Sequence, residues 1–437
     1  MFRLRWFDLD DPASPAEWQT PALILATLFL NVPFWIMGAD YFWIPSRPLL
    51  AVAVFSIAAL LCAALFFVGP TMAARTASSF PSMLAARFGT IPGFFIQVTS
   101  VIYLMIWISR LLGLVCWWLQ PPYYPAQPGI PLGLIAGAVL LLVYLTGCQS
   151  MRMNAALARF TIHLAVAILL AGLIRVRSGW PAIPTGFDAS SQRSLAEDTW
   201  RGFTNLCFYV APLALMASAF GTRLTGRKPI AKTALFGIVV PLAGSLAIVT
   251  ALNVATHASS FYRPSGPANI AMALISGASH TAERAILLIF AVTILGVLRF
   301  SVARLKEAAA VHWIPFGCLI SAIVWYAAHP DRANVDTLFE FCVHSLAAAS
   351  AILTVDAIMQ RSIRERKAFD WPATLSLICG IGIPAFIRFW QSGMAEDSWR
   401  WLLPTYGITF AVCVVARALA CSAGFSRRLN PAPPTKI

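Results

Sequence analysis

The chain has 437 residues, of which 59% are apolar and only 11% charged, and its mean hydropathy is +0.74. A soluble globular domain carries about 45–50% apolar and about 25% charged residues, so a soluble enzyme and a disordered chain are both excluded. What remains is an integral membrane protein, helical along its length. The net charge is +14, but the basic residues sit in short segments between apolar runs. There they orient a membrane protein rather than bind nucleic acid.

Residues 1–21 are polar and mixed in sign, with Asp8, Asp10, Asp11 and Glu17 beside Arg3 and Arg5. They read as a cytoplasmic segment, not a signal peptide. Twelve candidate spans follow, at about 22–44, 49–69, 92–118, 129–147, 154–174, 203–220, 233–254, 284–303, 311–328, 337–359, 371–390 and 400–421. They form one membrane domain over 22–421, and 422–437 is a cytoplasmic tail. With the N-terminus inside, cytoplasmic segments hold most of the arginines and lysines, including Arg223, Arg227, Lys228, Lys232, Arg361, Arg364, Arg366 and Lys367. The positive-inside rule thus puts both termini in the cytoplasm, in agreement with an even span count. The segment around Phe80, Met83, Leu84 and Phe88 reads as a helix at the inner surface. Cysteines lie mainly inside apolar runs without ligand spacing, so disulfides, metal sites and other cofactors are not expected.

Two spans carry a central proline. Span 1 contains Asn31-Val32-Pro33-Phe34-Trp35, and span 6, five spans later, contains Val210-Ala211-Pro212. Proline removes a backbone donor and clashes with the preceding turn, so both helices are expected to kink or open. Interrupted spans in corresponding halves mark the midplane site of inverted-repeat transporters.

The residues Asn31-x-Pro33-x-Trp35-x-x-Gly38-Ala39 resemble the first-span signature of nucleobase–cation symporter family 1, the family of cytosine permeases and hydantoin transporters. Phe80-Pro81-Ser82-Met83-Leu84-Ala85-Ala86-Arg87-Phe88-Gly89, Gly221-Thr222-Arg223 and the stretch from Ile352 through Asp356 to Arg361 are similar to further family segments, in the same order. The resemblance implies an all-α polytopic protein of LeuT-like fold. Its 5+5 inverted repeat would run over about 22–174 and 203–359, with two extra spans at about 371–421. It also implies a secondary transporter in the bacterial inner membrane.

The match is incomplete at the site. The family carries Trp-x-x-x-Gln in span 3; here Trp107 fits, but Leu111 stands at the glutamine position and Arg110 precedes it. Phe220 replaces an aspartate at the end of span 6. Aligned on Ser301, span 8 offers Val292, Thr293, Ile294 and Leu298 where the family has polar residues that hold sodium and substrate. Only the Thr293 hydroxyl remains, with span 1 carbonyls to complete a possible sodium site.

Charged groups at membrane depth are costly, so they mark function or pairing. Arg110 is a candidate donor to an anionic or carbonyl-rich substrate, or a structural partner of a carboxylate such as Glu340. Glu340 and His344 share one helix face at i,i+4 and form a candidate proton shuttle. Arg299 is expected to snorkel to the inner surface, and His163 to be a satisfied core histidine. A planar heterocycle needs aromatic faces, and Trp107 against Phe208 or Tyr209 is the candidate sandwich. Asn31 and Asn205 are the remaining amides.

The composite expectation is a transporter that imports a small planar nitrogenous compound, a nucleobase, hydantoin or related ring. Its substrate-binding residues are Asn31, Pro33, Trp35, Trp107, Arg110, Leu111, Asn205, Phe208, Tyr209 and Leu298. Its ion-coupling residues are Thr293, Glu340 and His344, with H+ or Na+ as the coupling ion. Its partners are the small-molecule substrate and membrane lipid; nothing in the sequence indicates an obligate protein partner. A Walker A pattern is absent, so ATP does not drive it directly, and no catalytic motif argues for an enzyme. Two alternatives stay open: a LeuT-like permease for another small solute such as an amino acid, and a transporter-derived sensor without ion coupling.

Overall fold

The computed structural model describes residues 18–31, 34, 48–74, 80–119, 151–177, 195–218, 220, 224, 226–247, 289, 292–308, 333–359, 368–390 and 398–429. Among them there is no strand. In chain order the helices are α1 (Gln19–Ala26), α2 (Pro48–Cys62), α3 (Gly69–Ala74), α4 (Phe80–Phe88), α5 (Thr90–Leu119), α6 (Met151–Arg177), α7 (Leu195–Ala217), α8 (Arg227–Ala234), α9 (Leu295–Ala308), α10 (Ala333–Ile358), α11 (Trp371–Trp390) and α12 (Leu402–Leu429). Among the described residues five stretches are long and apolar enough to cross a membrane: Val52–Ala74, Thr90–Leu111, Arg227–Ala247, Asp336–Ile358 and Leu402–Ser422. The fourth and ninth expected spans, and the first beyond its break, fall largely outside the described residues.

The surface explains why the sequence is so apolar. Ile57, Phe94, Phe160, Ile378, Phe386 and Val415 are all more than half exposed on the helix exteriors. Such faces suit lipid, which asks for apolar side chains on the outside and internally satisfied backbone. Inside, Phe29, Phe55, Phe66, Phe67, Phe88, Tyr103 and Trp107 fill the core.

Three features differ from the sequence expectation. The last helix runs to Leu429, past the expected span end at 421. His163 is exposed rather than buried, and its ring Nδ1–H donates to the Arg159 carbonyl one turn back at 2.6 Å. The expected opening at Pro212 is absent: α7 continues to Ala217 with the proline inside it. One missing donor costs a single helical bond, and Val210, Ala211, Leu213 and Ala214 around it are completely buried, so packing keeps the helix together.

Two helices widen into π turns. One, Ala63–Val68, joins α2 to α3; the other, Leu235–Val239, extends α8. They lie in spans 2 and 7, which are equivalent positions in a five-plus-five repeat. A π turn releases carbonyls from the regular ladder. The Leu65 carbonyl accepts from Ser350 Oγ at 2.9 Å, Thr354 Oγ1 at 3.1 Å and Tyr406 Oη at 3.4 Å. The turn thereby pins span 2 to α10 and α12.

Candidate functional site

The first break is built by a single side chain. α1 stops at Ala26, and the chain turns through residues 27–31. Asn31 Nδ2 donates to the carbonyls of Thr27 and Leu28, each at 3.0 Å, while its Oδ1 accepts from the Phe34 backbone N–H at 2.8 Å. Asn31 therefore caps the broken helix with both its amide donors and its oxygen, which is a different task from reaching a substrate. Pro33 and Trp35 lie outside the described residues.

Spans 3, 6 and 10 come together as α5, α7 and α10. Trp107 is 2% exposed, and its ring stacks on Tyr103 one turn earlier, with centroids 6.4 Å apart and planes 7° apart. Tyr103 stacks in turn on Phe339 of α10 at 5.2 Å. Phe339 meets Phe208 of α7 at 6.2 Å, and Phe208 meets Tyr209 at 5.8 Å and His344 at 5.9 Å, edge to face. The expected pairing of Trp107 with Phe208 thus exists through two intermediate rings, Tyr103 and Phe339, and not as two directly facing rings. Leu111 and Asn205 are buried at the same helices, and Leu298 and Thr293 are buried on span 8.

Two polar atoms in this aromatic group stand out. Tyr103 Oη and Trp107 Nε1 are buried and have no hydrogen-bond partner among the described residues. Leaving a polar group buried and unpaired costs about 1–3 kcal/mol.

The charges differ from expectation in partner and place. Arg110 pairs with Asp336, one turn before Glu340, and its guanidinium lies 4.1 Å over the Phe339 ring. Asp336 sits in the first turn of α10, where the helix dipole favours a carboxylate. The pair is partly open, with side-chain exposures of 18% and 48%, so it joins α5 to α10 near an edge of the group. Glu340 is half-buried. His344 Nδ1 shares a hydrogen bond with the Thr405 hydroxyl at 3.2 Å, which ties the proton-shuttle candidate to α12. Arg299 does not snorkel: it is 3% exposed and lines a partly open cavity with Ile24, Thr27, Ala158, Phe220 and Arg304.

Tyr103, Asp336 and Phe339 were not among the sequence candidates. Helical spacing held a signal for two of them, since Tyr103 precedes Trp107 by four residues and Asp336 precedes Glu340 by four. Among the described residues no group of three or more His, Cys, Asp or Glu side chains could hold a metal ion.

Helices in this order, five of them apolar enough to span a membrane among the described residues, define a polytopic all-α membrane protein. Solved structures similar to it are those of transporters. The inward-facing conformation of Mhp1 superposes with a TM-score of 0.63 at 13% identity, covering 98% of this chain and 98% of that one. Mhp1 in a closed conformation with bromovinylhydantoin bound, described as a nucleobase-cation-symport-1 family transporter, gives 0.60 at 11% identity over 93% of both chains. A substrate-bound, outward-open Na+-coupled sialic acid symporter gives 0.59 at 12% identity, over 91% of this chain and 88% of that one. No protein-family profile and no curated protein matches the sequence. At these identities the likeness establishes the fold.

Proposed function

We propose that the chain is a secondary transporter that imports a small planar nitrogenous compound, a nucleobase, hydantoin or related ring, across a bacterial inner membrane with both termini cytoplasmic. The observation that carries this reading is the buried aromatic group Trp107–Tyr103–Phe339–Phe208 with its two unpartnered polar atoms. Flat rings suit a flat solute, and an indole N–H beside a phenol O–H suits its ring carbonyls or nitrogens. The closed Mhp1 structure, with a hydantoin bound in the same fold, supports the substrate class.

Alternating access then follows from the broken first span. Substrate bound between α5, α7 and α10 favours closure on one side, and rocking of one bundle against the other opens the other side. A proton or sodium gradient supplies the drive, with Glu340 and His344 as the proton candidates and Thr293 as the sodium candidate. Leu111, Leu298, Asn205 and Tyr209 would shape the pocket walls, so the substrate would depend more on stacking and shape than on amide contacts.

The test is uptake of labelled nucleobases and hydantoins in cells lacking their own permeases, with and without an uncoupler. Accumulation above the external level that collapses with the uncoupler, and is lost in Trp107→Ala, is the expected result. Ligand binding without accumulation would favour the sensor reading, which the apolar side chains at Val292, Ile294 and Leu298 motivate.

A further inference from the structure

The cavity where spans 1, 5 and 8 meet does not suit a sodium ion. It lies between the end of α1, the first turns of α6 and the middle of α9. Gly296 lets these helices approach closely: a Cβ there would lie 2.9 Å from both Thr27 Cβ and Thr161 Oγ1. Thr293, the candidate sodium ligand, precedes this contact by one turn.

Sodium would need span 1 carbonyls, and those from Ile24 to Phe29 are already engaged. The Ile24 carbonyl accepts from Thr27 Oγ1 at 2.7 Å. The Leu25 carbonyl accepts from Leu28 N–H at 3.0 Å, and that of Ala26 from Phe29 and Leu30 N–H at 3.2 and 2.9 Å. Those of Thr27 and Leu28 accept from Asn31, and that of Phe29 from Ser245 Oγ at 3.0 Å. Every carbonyl from Ile24 to Phe29 thus has a protein donor.

The electrostatics point the same way. Among the described residues the cavity lining contains Arg299 and Arg304 and no acidic side chain. Arg304 is balanced by Glu307 and lies over the Phe220 and Phe300 rings, 5.2 and 5.8 Å away. Arg299 is the more deeply buried of the two. The C-terminus of a helix is the negative end of its dipole and favours a nearby cation even where its carbonyls have donors. α1 ends at Ala26, and Arg299 lines the same cavity as Ile24 and Thr27.

We infer that Arg299 is a built-in cation that takes the place of a coupling sodium ion at the broken end of span 1, so that transport by this chain is sodium-independent. The inference rests on the transporter reading for its consequence, since coupling has meaning only where there is transport. Arg299 acts here as a positioning residue: it holds α9 against α1 by charge and does not touch substrate.

The test uses the purified full-length protein in detergent and reads its melting temperature. Wild type is expected to melt at the same temperature in sodium chloride and in choline chloride at equal ionic strength. Arg299→Lys keeps the charge and should stay close to wild type. Arg299→Ala should melt several degrees lower and be restored by guanidinium or sodium ions at low concentration, but not by choline. A rise in the wild-type melting temperature specific to sodium would overturn the inference. So would an Arg299→Ala protein as stable as wild type, or one that no small cation restores. If Arg299→Ala does not fold, the wild-type comparison decides by itself. Neither reading uses transport, so failed uptake removes the transporter reading alone. Uptake that persists when choline replaces sodium supports the inference, and uptake that requires sodium ends it.

Discussion

Tyr103 Oη and Trp107 Nε1 are buried on neighbouring turns of α5 with no hydrogen-bond partner among the described residues, and their chemistry makes a sharp distinction possible. A buried hydroxyl with no partner contributes nothing to the ligand-free fold, so Tyr103→Phe should leave stability unchanged or raise it by up to about 1 kcal/mol. The same change should weaken uptake, because it removes a donor the solute would use. Thermal unfolding with and without a hydantoin, beside an uptake assay, separates the two effects. A clear loss of ligand-free stability would mean that the hydroxyl serves the fold. Asn31 presents the opposite case. Its amide makes three bonds that hold the end of α1, so Asn31→Ala should cost about 1–3 kcal/mol and lower the melting temperature. Sequence reading found Asn31 and Trp107 because both stand in or beside motifs. It could not assign Asn31 its task, since a cap and a substrate amide look identical in a string of letters. It missed Asp336 as the partner of Arg110 because 226 residues separate them, and only the packing of α5 on α10 closes that distance.

At the scale of elements, apolar runs made most helices legible. α2 with α3, α5, α6, α10, α11 and α12 all fall where hydropathy places them. The π turns were not legible, because the register shift depends on which hydroxyls reach the freed Leu65 carbonyl. Ser350 and Thr354 supply them from α10, and Tyr406 from α12. Just beyond the turn, Gly69 allows α3 to touch α10: a Cβ there would stand 2.4 Å from Thr354 Oγ1. Gly69→Ala should therefore cost about 1–3 kcal/mol by overpacking. Adding Thr354→Ala makes room for the new methyl while removing a bond to Leu65. The double variant should thus be less destabilised than the sum of the two single ones, as a thermal-shift cycle would read. Simple additivity would show that the contact is looser than the backbone geometry demands.

Across the whole molecule, α11 and α12 are fastened to α4, α5 and α10 at one buried corner. Gly89 turns between α4 and α5 with φ +88°, and a Cβ there would lie 2.8 Å from the Ala368 carbonyl. Ile91 N–H donates to that carbonyl, and Asp370 N–H donates to Phe88, both at 3.2 Å. Beside this pair of backbone bonds, Arg417 of α12 bridges Asp356 of α10 at 3.1 Å and Asp370 at 2.5 Å, with all three side chains nearly sealed from the surface. Two motifs that resemble a transporter family, the one ending at Gly89 and the one around Asp356, therefore meet at a structural joint and not at the aromatic site. In the proposed rocking motion such a joint would make α4, α5, α10, α11 and α12 one body, against which α1 and α7 would move. Removing one member of a buried ionic group strands the others, at about 3–5 kcal/mol, whereas replacing the whole group by neutral side chains is often tolerated. Arg417→Met should accordingly melt far below wild type, while Arg417→Met combined with Asp356→Asn and Asp370→Asn should recover most of the loss. If the triple variant is as unstable as the single one, the joint is held by packing and not by charge. If it is stable but no longer transports, the charges serve the motion.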